Sequence, residues 1–218
     1  MFTGLIETTG TITAVENGAK ACTIALKPGA RDFVAEKGDS ISMDGVCLTV
    51  EKHSGPELAF TAVKETLDLT TLGALRPGAK VNLERSLAAS GRLHGHLVLG
   101  HSDGIAEILA VKPEGASLLY TIRPPRECLP LLSRKGSVAI DGISLTIASV
   151  HDDCMTIAVI PETQKATTLA GKKPGGMVNI ECDVLARYVH RALQVAAGGA
   201  KRPGTGKDLL ATMERLGF

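Results

Sequence analysis

The chain has 218 residues with 24 Lys and Arg against 23 Asp and Glu, a formal net charge of +1, which leaves no basic field for nucleic acid or an anionic membrane. It has no Trp and only 3% aromatic residues, so bases would find little to stack on. Five cysteines (Cys22, Cys47, Cys128, Cys154 and Cys182), odd in number and without a CxxC pair, fit neither a disulfide framework nor a zinc motif. No apolar run approaches the roughly 18 residues of a membrane span, and Met1-Phe-Thr-Gly lacks the parts of a signal peptide, so the expected location is the cytoplasm.

In chain order, strands are predicted over residues 2–15, 21–27, 40–53, 57–63 and 80–85. These segments are short, rich in Val, Ile, Thr and Leu, and separated by Gly, Pro, Asp or Asn. Asp44-Gly45 breaks the third of them and marks a turn or bulge. Between Glu65 and Pro77, a Thr-rich start, a brief Leu-containing stretch and a Pro-Gly stop predict one short helix. Residues 88–95, small and polar, read as a linker. Strands then follow over 96–111, 117–123, 137–151, 155–160 and 177–182, with Asp141-Gly142 breaking the third and a second short helix between Glu162 and Pro174. The pattern is all-β, sandwich or barrel.

The second set restates the first. Ser40-Ile-Ser-Met-Asp-Gly-Val-Cys-Leu-Thr-Val50 returns about 97 positions later as Ser137-Val-Ala-Ile-Asp-Gly-Ile-Ser-Leu-Thr-Ile147, and Val81-Asn-Leu-Glu84 returns as Val178-Asn-Ile-Glu181. A period this long gives each copy room for its own core. The expected organisation is a first domain over 1–90, a second over 95–183 and an extension over 184–218. Duplicated domains suggest duplicated pockets, for two similar ligands or two copies of one. After Asp183 the apolar spacing becomes helical: Val184, Leu185, Tyr188, Val189, Ala192, Leu193, Val195 and Ala196 share a face that an oligomer interface would bury. Gly198-Gly199 through Gly206 reads as a flexible linker, followed by a last amphipathic turn that Asp208 could cap.

Several residues can carry chemistry. His94, His96 and His101 are close in sequence, but no acidic or thiol partner accompanies them at a metal-ligand spacing, and no metal is expected. His101 could move protons near neutral pH or be a plain surface histidine. Ser144 and Thr146 stand where Cys47 and Thr49 stand in the first copy, on the opposite face from Leu145 and Leu48. That polar face is either ordinary surface or a ligand surface, and its repetition beside a Gly-dependent turn favours a ligand. Asp44 and Asp141 read as turn residues; Asp183 reads as a helix cap, or as a residue that orients a hydroxyl or imidazole. No P-loop, GxGxxG or GxSxG context is present.

Met1-Phe-Thr-Gly-Leu-Ile-Glu7, Asp44-Gly-Val-Cys-Leu-Thr-Val50, Gly95-His-Leu-Val-Leu-Gly-His-Ser-Asp-Gly104, Asp141-Gly-Ile-Ser-Leu-Thr146, Ile160-Pro-Glu-Thr163 and Asn179-Ile-Glu-Cys-Asp183 together resemble the riboflavin synthases of the α-chain type, in order and spacing, through about residue 197. The resemblance implies two homologous six-stranded Greek-key barrels in tandem, a C-terminal helix that assembles a homotrimer, and no cofactor. The implied reaction moves a four-carbon unit between two molecules of 6,7-dimethyl-8-ribityllumazine, giving riboflavin and 5-amino-6-ribitylaminouracil. The working site would lie between the first barrel of one subunit and the second barrel of its neighbour.

By matching position, the chemically active residues would be Ser144, His101, Asp183 and Cys47. Ser144 and His101 would assist proton movement, and Asp183 would hold Ser144 or the neighbouring barrel's ligand. The first barrel's site would be lined by Phe2, Thr3, Gly4, Leu5 and Ile6, by Ser40, Cys47, Leu48 and Thr49, and by Thr61, Ala62, Val63, Lys64, Glu65 and Thr66. The second would be lined by Gly100, His101 and Ser102, by Lys135, by Ser144, Leu145 and Thr146, and by Ala158, Val159, Ile160, Pro161, Glu162 and Thr163. Asp44, where many relatives carry Asn or another residue, reads as turn variation. Two other classes stay open: non-catalytic carriers of lumazine or flavin that share the fold, and flavin reductase barrels, whose Arg-x-Tyr-Ser type segment and nicotinamide domain this chain lacks.

Overall fold

A computed structural model describes residues 1–18 and 20–197. The expected Gly-rich linker after Gly198 and the turn capped by Asp208 lie outside the described residues. Strands β1 (Thr8–Asn17), β2 (Ala21–Pro28), β3 (Ser40–Met43), β4 (Val46–Ser54), β5 (Glu57–Val63) and β6 (Lys80–Arg85) close into a barrel in the order β1-β2-β5-β4-β3-β6. Every pairing is antiparallel. Strands β3, β4 and β5 run as consecutive hairpins and β6 returns beside β3, which is a Greek key. A second barrel repeats the order with β7 (Gly104–Glu114), β8 (Ser117–Arg123), β9 (Ser137–Ile140), β10 (Ile143–Val150), β11 (Met155–Val159) and β12 (Met177–Cys182).

The expected alternation holds along the strands. On β4, Val46, Leu48 and Val50 are buried while Cys47, Thr49 and Glu51 face outward; on β10, Ile143, Leu145 and Ile147 are buried while Ser144 and Thr146 face outward. Each barrel therefore encloses its own core. The cores differ by compensating exchange, since Ile24 opposite Phe60 in the first becomes Tyr120 opposite Ile157 in the second. The Tyr120 hydroxyl, which burial would otherwise strand, donates to Leu169 O at 2.9 Å. Register shifts fall at matching places, between Ile12 and Ala14 and between Val50 and Lys52, then between Ile108 and Ala110 and between Ile147 and Ser149. Such bulges add the bend that lets a six-stranded sheet close.

Asp44-Gly45 and Asp141-Gly142 join β3 to β4 and β9 to β10 with positive φ at both positions (45° and 80°, 46° and 77°), the two-residue hairpin turn that Asp-Gly favours. The short helices are α1 (Lys64–Leu69) and α2 (Pro161–Ala166), each followed by a 3₁₀ turn. A further 3₁₀ turn over Arg126–Leu131 has no forecast in the sequence.

Strands β1 and β7 begin at Thr8 and Gly104, not near residues 2 and 96. The preceding segments leave their own barrels: Phe2 and Val98 exchange backbone bonds (Phe2 N to Val98 O 2.7 Å, Val98 N to Phe2 O 3.2 Å) and pack with Ala139 and Cys47. Residues Met1–Val184 accordingly form one compact unit. Helix α3 (Val184–Ala196) has its apolar Leu185, Tyr188, Val189 and Leu193 exposed. Among the described residues no helix is long and apolar enough to cross a membrane.

Candidate active site

The two outward polar faces are covered by chain from the opposite barrel. On β10, Ser144 N donates to Gly4 O at 2.8 Å; on β4, Cys47 N donates to Gly100 O at 2.9 Å. Gly4 and Gly100 lie at φ +77° and +78°, and a Cβ on either would fall 2.5 Å from the Cβ of Ser144 or Cys47. Only glycine combines that backbone with so close an approach. The expected grouping is thereby exchanged. Gly4 stands against Ser144 and Gly100 against Cys47, and Ile6 packs on the second barrel's core. Each barrel's segment crosses because the carboxylate at the end of its last strand holds it there.

Those carboxylates are Glu84 and Glu181. Glu84 accepts from Thr3 N (2.6 Å), Thr3 Oγ1 (2.7 Å) and Gly4 N (2.9 Å). Glu181 accepts from Leu99 N (2.6 Å), Gly100 N (2.9 Å) and His101 N (2.9 Å). Burial raises the pKa of both above the ordinary glutamate value, against these hydrogen bonds, which favour the ionised form. The repeat displays both residues, yet nothing local says that a Glu at a strand end will face inward to a neighbouring segment.

Beside Ser144 stands a histidine that the sequence groups with His94 and His101 only as a candidate metal ligand. His96 Nδ1 lies 2.7 Å from Ser144 Oγ, and its backbone N donates to Thr3 O. His96 Nε2 is buried without a hydrogen-bond partner among the described residues. Burial lowers the imidazole's pKa, and the charge of Asp183 partly restores it. The imidazole is therefore neutral at neutral pH, able to take the Ser144 proton or to hold its hydroxyl in one orientation. Asp183 bears on this pair through its charge at His96. His101 is exposed on the Cys47 side and does not join the Ser144 pair.

The remaining expected residues surround these two points. Ser40 lies opposite Thr49 on β3, as Ser137 lies opposite Thr146 on β9. Thr61, Ala62 and Val63 end β5, and Lys64, Glu65 and Thr66 open α1; Ala158 and Val159 end β11, and Pro161, Glu162 and Thr163 open α2 after Ile160. Val63 and Ile160 are more than half exposed, matched apolar surfaces at matched positions. Lys135 is exposed at φ +69°, its N donating to Ile147 O. Leu48 and Leu145 point into the cores, away from the outward polar faces. Phe2 is fully buried at the seam between barrels.

A family model described as the lumazine binding domain matches residues 3–86 and again 99–183. Riboflavin synthase of Bacillus subtilis (strain 168) is 39% identical over 196 residues, 90% of this chain and 91% of that protein. The chain belongs to the riboflavin synthase family. Riboflavin synthase of Photobacterium phosphoreum is 38% identical over 219 residues, 100% of this chain and 99% of its own length. Among solved structures, LumP complexed with riboflavin superposes with TM-score 0.78 at 26% identity, covering 84% of this chain and 99% of that one. LumP complexed with 6,7-dimethyl-8-(1'-D-ribityl)lumazine gives TM-score 0.76 at 24% identity with the same coverage, a likeness of fold. These relatives agree with the two closed barrels.

Proposed function

We propose that the protein is a riboflavin synthase, converting two molecules of 6,7-dimethyl-8-ribityllumazine into riboflavin and 5-amino-6-ribitylaminouracil. The observation that carries the reading is the pair of crossed, like-shaped sites, one at Ser144 under Gly4 and one at Cys47 under Gly100. Two similar sites suit a reaction whose two reactants are identical. One lumazine gives up four carbons and the other receives them, so the transfer balances without an external oxidant. The methyl on carbon seven is acidic because its anion delocalises into the ring, and a modest base suffices. The neutral His96 with Ser144 fits that task, with Asp183 tuning His96. Cys47 and His101 serve the other reactant.

In this reading the exposed apolar face of α3 assembles a homotrimer, which brings the first barrel of one subunit to the second barrel of the next. Holding two reactants in a productive orientation lowers the barrier by about 7–11 kcal/mol when ideal. Incubating the purified full chain, dialysed against chelator, with the lumazine alone should release riboflavin in an amount equal to half the lumazine consumed. Tight binding of lumazine or riboflavin without turnover would make it a carrier instead. The family likeness to LumP, crystallised with such ligands, makes that the outcome to exclude.

A further inference from the structure

Beside the second barrel, outside the Ser144 and Cys47 sites, three side chains from three separate elements converge. Cys128 Sγ comes from the 3₁₀ turn Arg126–Leu131, Cys182 Sγ from the end of β12, and a carboxylate oxygen of Asp103 from the segment entering β7; these atoms all lie within 4.8 Å of one another. Asp103 Oδ2 also accepts from Cys182 N at 2.8 Å, which fixes the carboxylate beside the sulfurs. Both cysteines are 1% exposed and Asp103 is half-buried, so solvent reaches the group from the carboxylate side. In the first copy Glu7 and Arg85 stand where Asp103 and Cys182 stand, with Glu7 accepting from Arg85 N at 2.7 Å, and no cysteine lies at the place of Cys128. The carboxylate's hold on the last strand is thus common to both barrels, and the two thiols beside it belong to the second barrel alone. Fifty-four positions separate its two cysteines (182 less 128), far beyond any motif spacing.

We propose that Asp103, Cys128 and Cys182 form a site for a thiophilic divalent cation of the zinc and cadmium class, with a water completing four-coordination. Metal–sulfur bonds of about 2.3 Å and metal–oxygen bonds of about 2.0–2.2 Å set tetrahedral donors roughly 3.5–3.8 Å apart, so a triangle with sides within 4.8 Å closes on a cation by a contraction of about 1 Å at most. Two soft thiolates select this class over magnesium or calcium. A disulfide would draw the sulfurs to about 2.05 Å and give the carboxylate no part; the third donor favours a cation. Binding displaces the two thiol protons, which leave with the solvent. The cation would tie the Leu99–Asp103 segment, which carries Gly100 and His101, to β12 and to the 3₁₀ turn. It stiffens a support of the Cys47 site and takes no part in the transfer itself.

The test uses the full chain, reduced and freed of metal by chelator, titrated with cadmium. The expected result is a sulfur-to-cadmium charge-transfer band in the ultraviolet that saturates at one cation per chain, with a raised Tm. Cys128→Ser abolishes the band, Asp103→Asn weakens binding by roughly 10-fold or more, since even an outer-sphere partner is worth that much, and Cys22→Ser in the first barrel changes nothing. Asp103→Asn keeps an acceptor for Cys182 N, so its fold is retained if Cys128→Ser misfolds. A reduced protein without the band, or a band unchanged in either Cys128→Ser or Asp103→Asn, overturns the site. So does a protein whose two thiols are lost as an intramolecular disulfide while the reduced form ignores cadmium. None of these readouts depends on riboflavin formation.

Discussion

Gly4→Ala and Gly100→Ala test whether each barrel's site is covered by the other barrel's segment. At position 4 a methyl group would stand 2.5 Å from Ser144 Cβ and 2.7 Å from Ser144 N, at φ +77°. The left-handed backbone costs about 1–2 kcal/mol for an L-residue, and forced overlap with a packed neighbour about 1–3 kcal/mol, together about 2–5 kcal/mol. If the segment stays docked, that cost lowers Tm by about 4–20 °C, at about 2–4 °C per kcal/mol for a unit this size. If it lifts, the bond from Ser144 N to Gly4 O opens and the Ser144 site loses ligand while the Cys47 site keeps it. Gly100→Ala should do the reverse. Calorimetric titration with riboflavin, together with a thermal melt, reads both outcomes. Variants that melt within about 2 °C of wild type and bind at both sites with unchanged affinity would refute the crossed assignment.

Ser144→Ala should lower kcat by about 10²–10⁴-fold with a smaller change in lumazine affinity, as expected for a group acting in proton transfer; equal losses would leave Ser144 a contact residue. The acid limb of the kcat profile should lie below the ordinary histidine range because burial depresses His96, and Asp183→Asn should move it lower still by removing the charge that raises it; a limb that does not move removes His96 from the mechanism. Asp44 is fully shielded, and burial followed by the charge of Asp141 raises its pKa well above the ordinary value, with Lys172 opposing. Its contribution to stability is therefore complete below the unfolded carboxyl's pKa and is lost as pH rises through the folded value. Asp44→Asn, which keeps an acceptor for Asn82 N, should match wild type in acid and melt higher at neutral pH and above, and a lower melt there would contradict this. Phe2→Ala, emptying a fully buried position, should cost about 3–5 kcal/mol in chemical denaturation, and a loss under 1 kcal/mol would show the seam to be soft.

Most of the strand framework is legible because alternation is a local property. Val46, Leu48 and Val50 announce their burial whatever lies across from them. The starts of β1 and β7 are misjudged for the same reason: Phe2 and Val98 do pair as strand residues, but with each other across the seam, and no local pattern names a distant partner. His96 escapes because its worth depends on Ser144, 48 positions away, and on a crossing that only the folded chain makes. The cluster of Asp103, Cys128 and Cys182 is hidden likewise, since motif spacing recognises ligands presented by one turn or hairpin and these come from three elements. Lys172 illustrates the remaining loss. It pairs with Asp141 at 2.7 Å, while its counterpart in the first copy is the buried Leu75, so the repeat conceals a charge present on one side alone.

The segments that repeat most clearly in sequence turn out to build the seam between copies as much as the sites. Asn82 Nδ2 donates to Asp141 O and Asn82 Oδ1 accepts from Thr168 N; Asn179 Nδ2 donates to Asp44 O and Asn179 Oδ1 accepts from Thr71 N. Asp44 and Asp141 each accept from the backbone N of the Asn in their own barrel, and a Cβ on Gly45 would fall 2.6 Å from Gly142 N. The amides of Asn82 and Asn179 thus each have specified partners across this buried contact, and losing one leaves another group unsatisfied at about 1–3 kcal/mol. A residue fixed in this way in one copy constrains its equivalent in the other. That reciprocity accounts for identity at Asp-Gly and Val-Asn-x-Glu where the outward faces have diverged, Cys47 against Ser144. The two sites are free to differ chemically because the seam, and not the sites, enforces the likeness of the barrels.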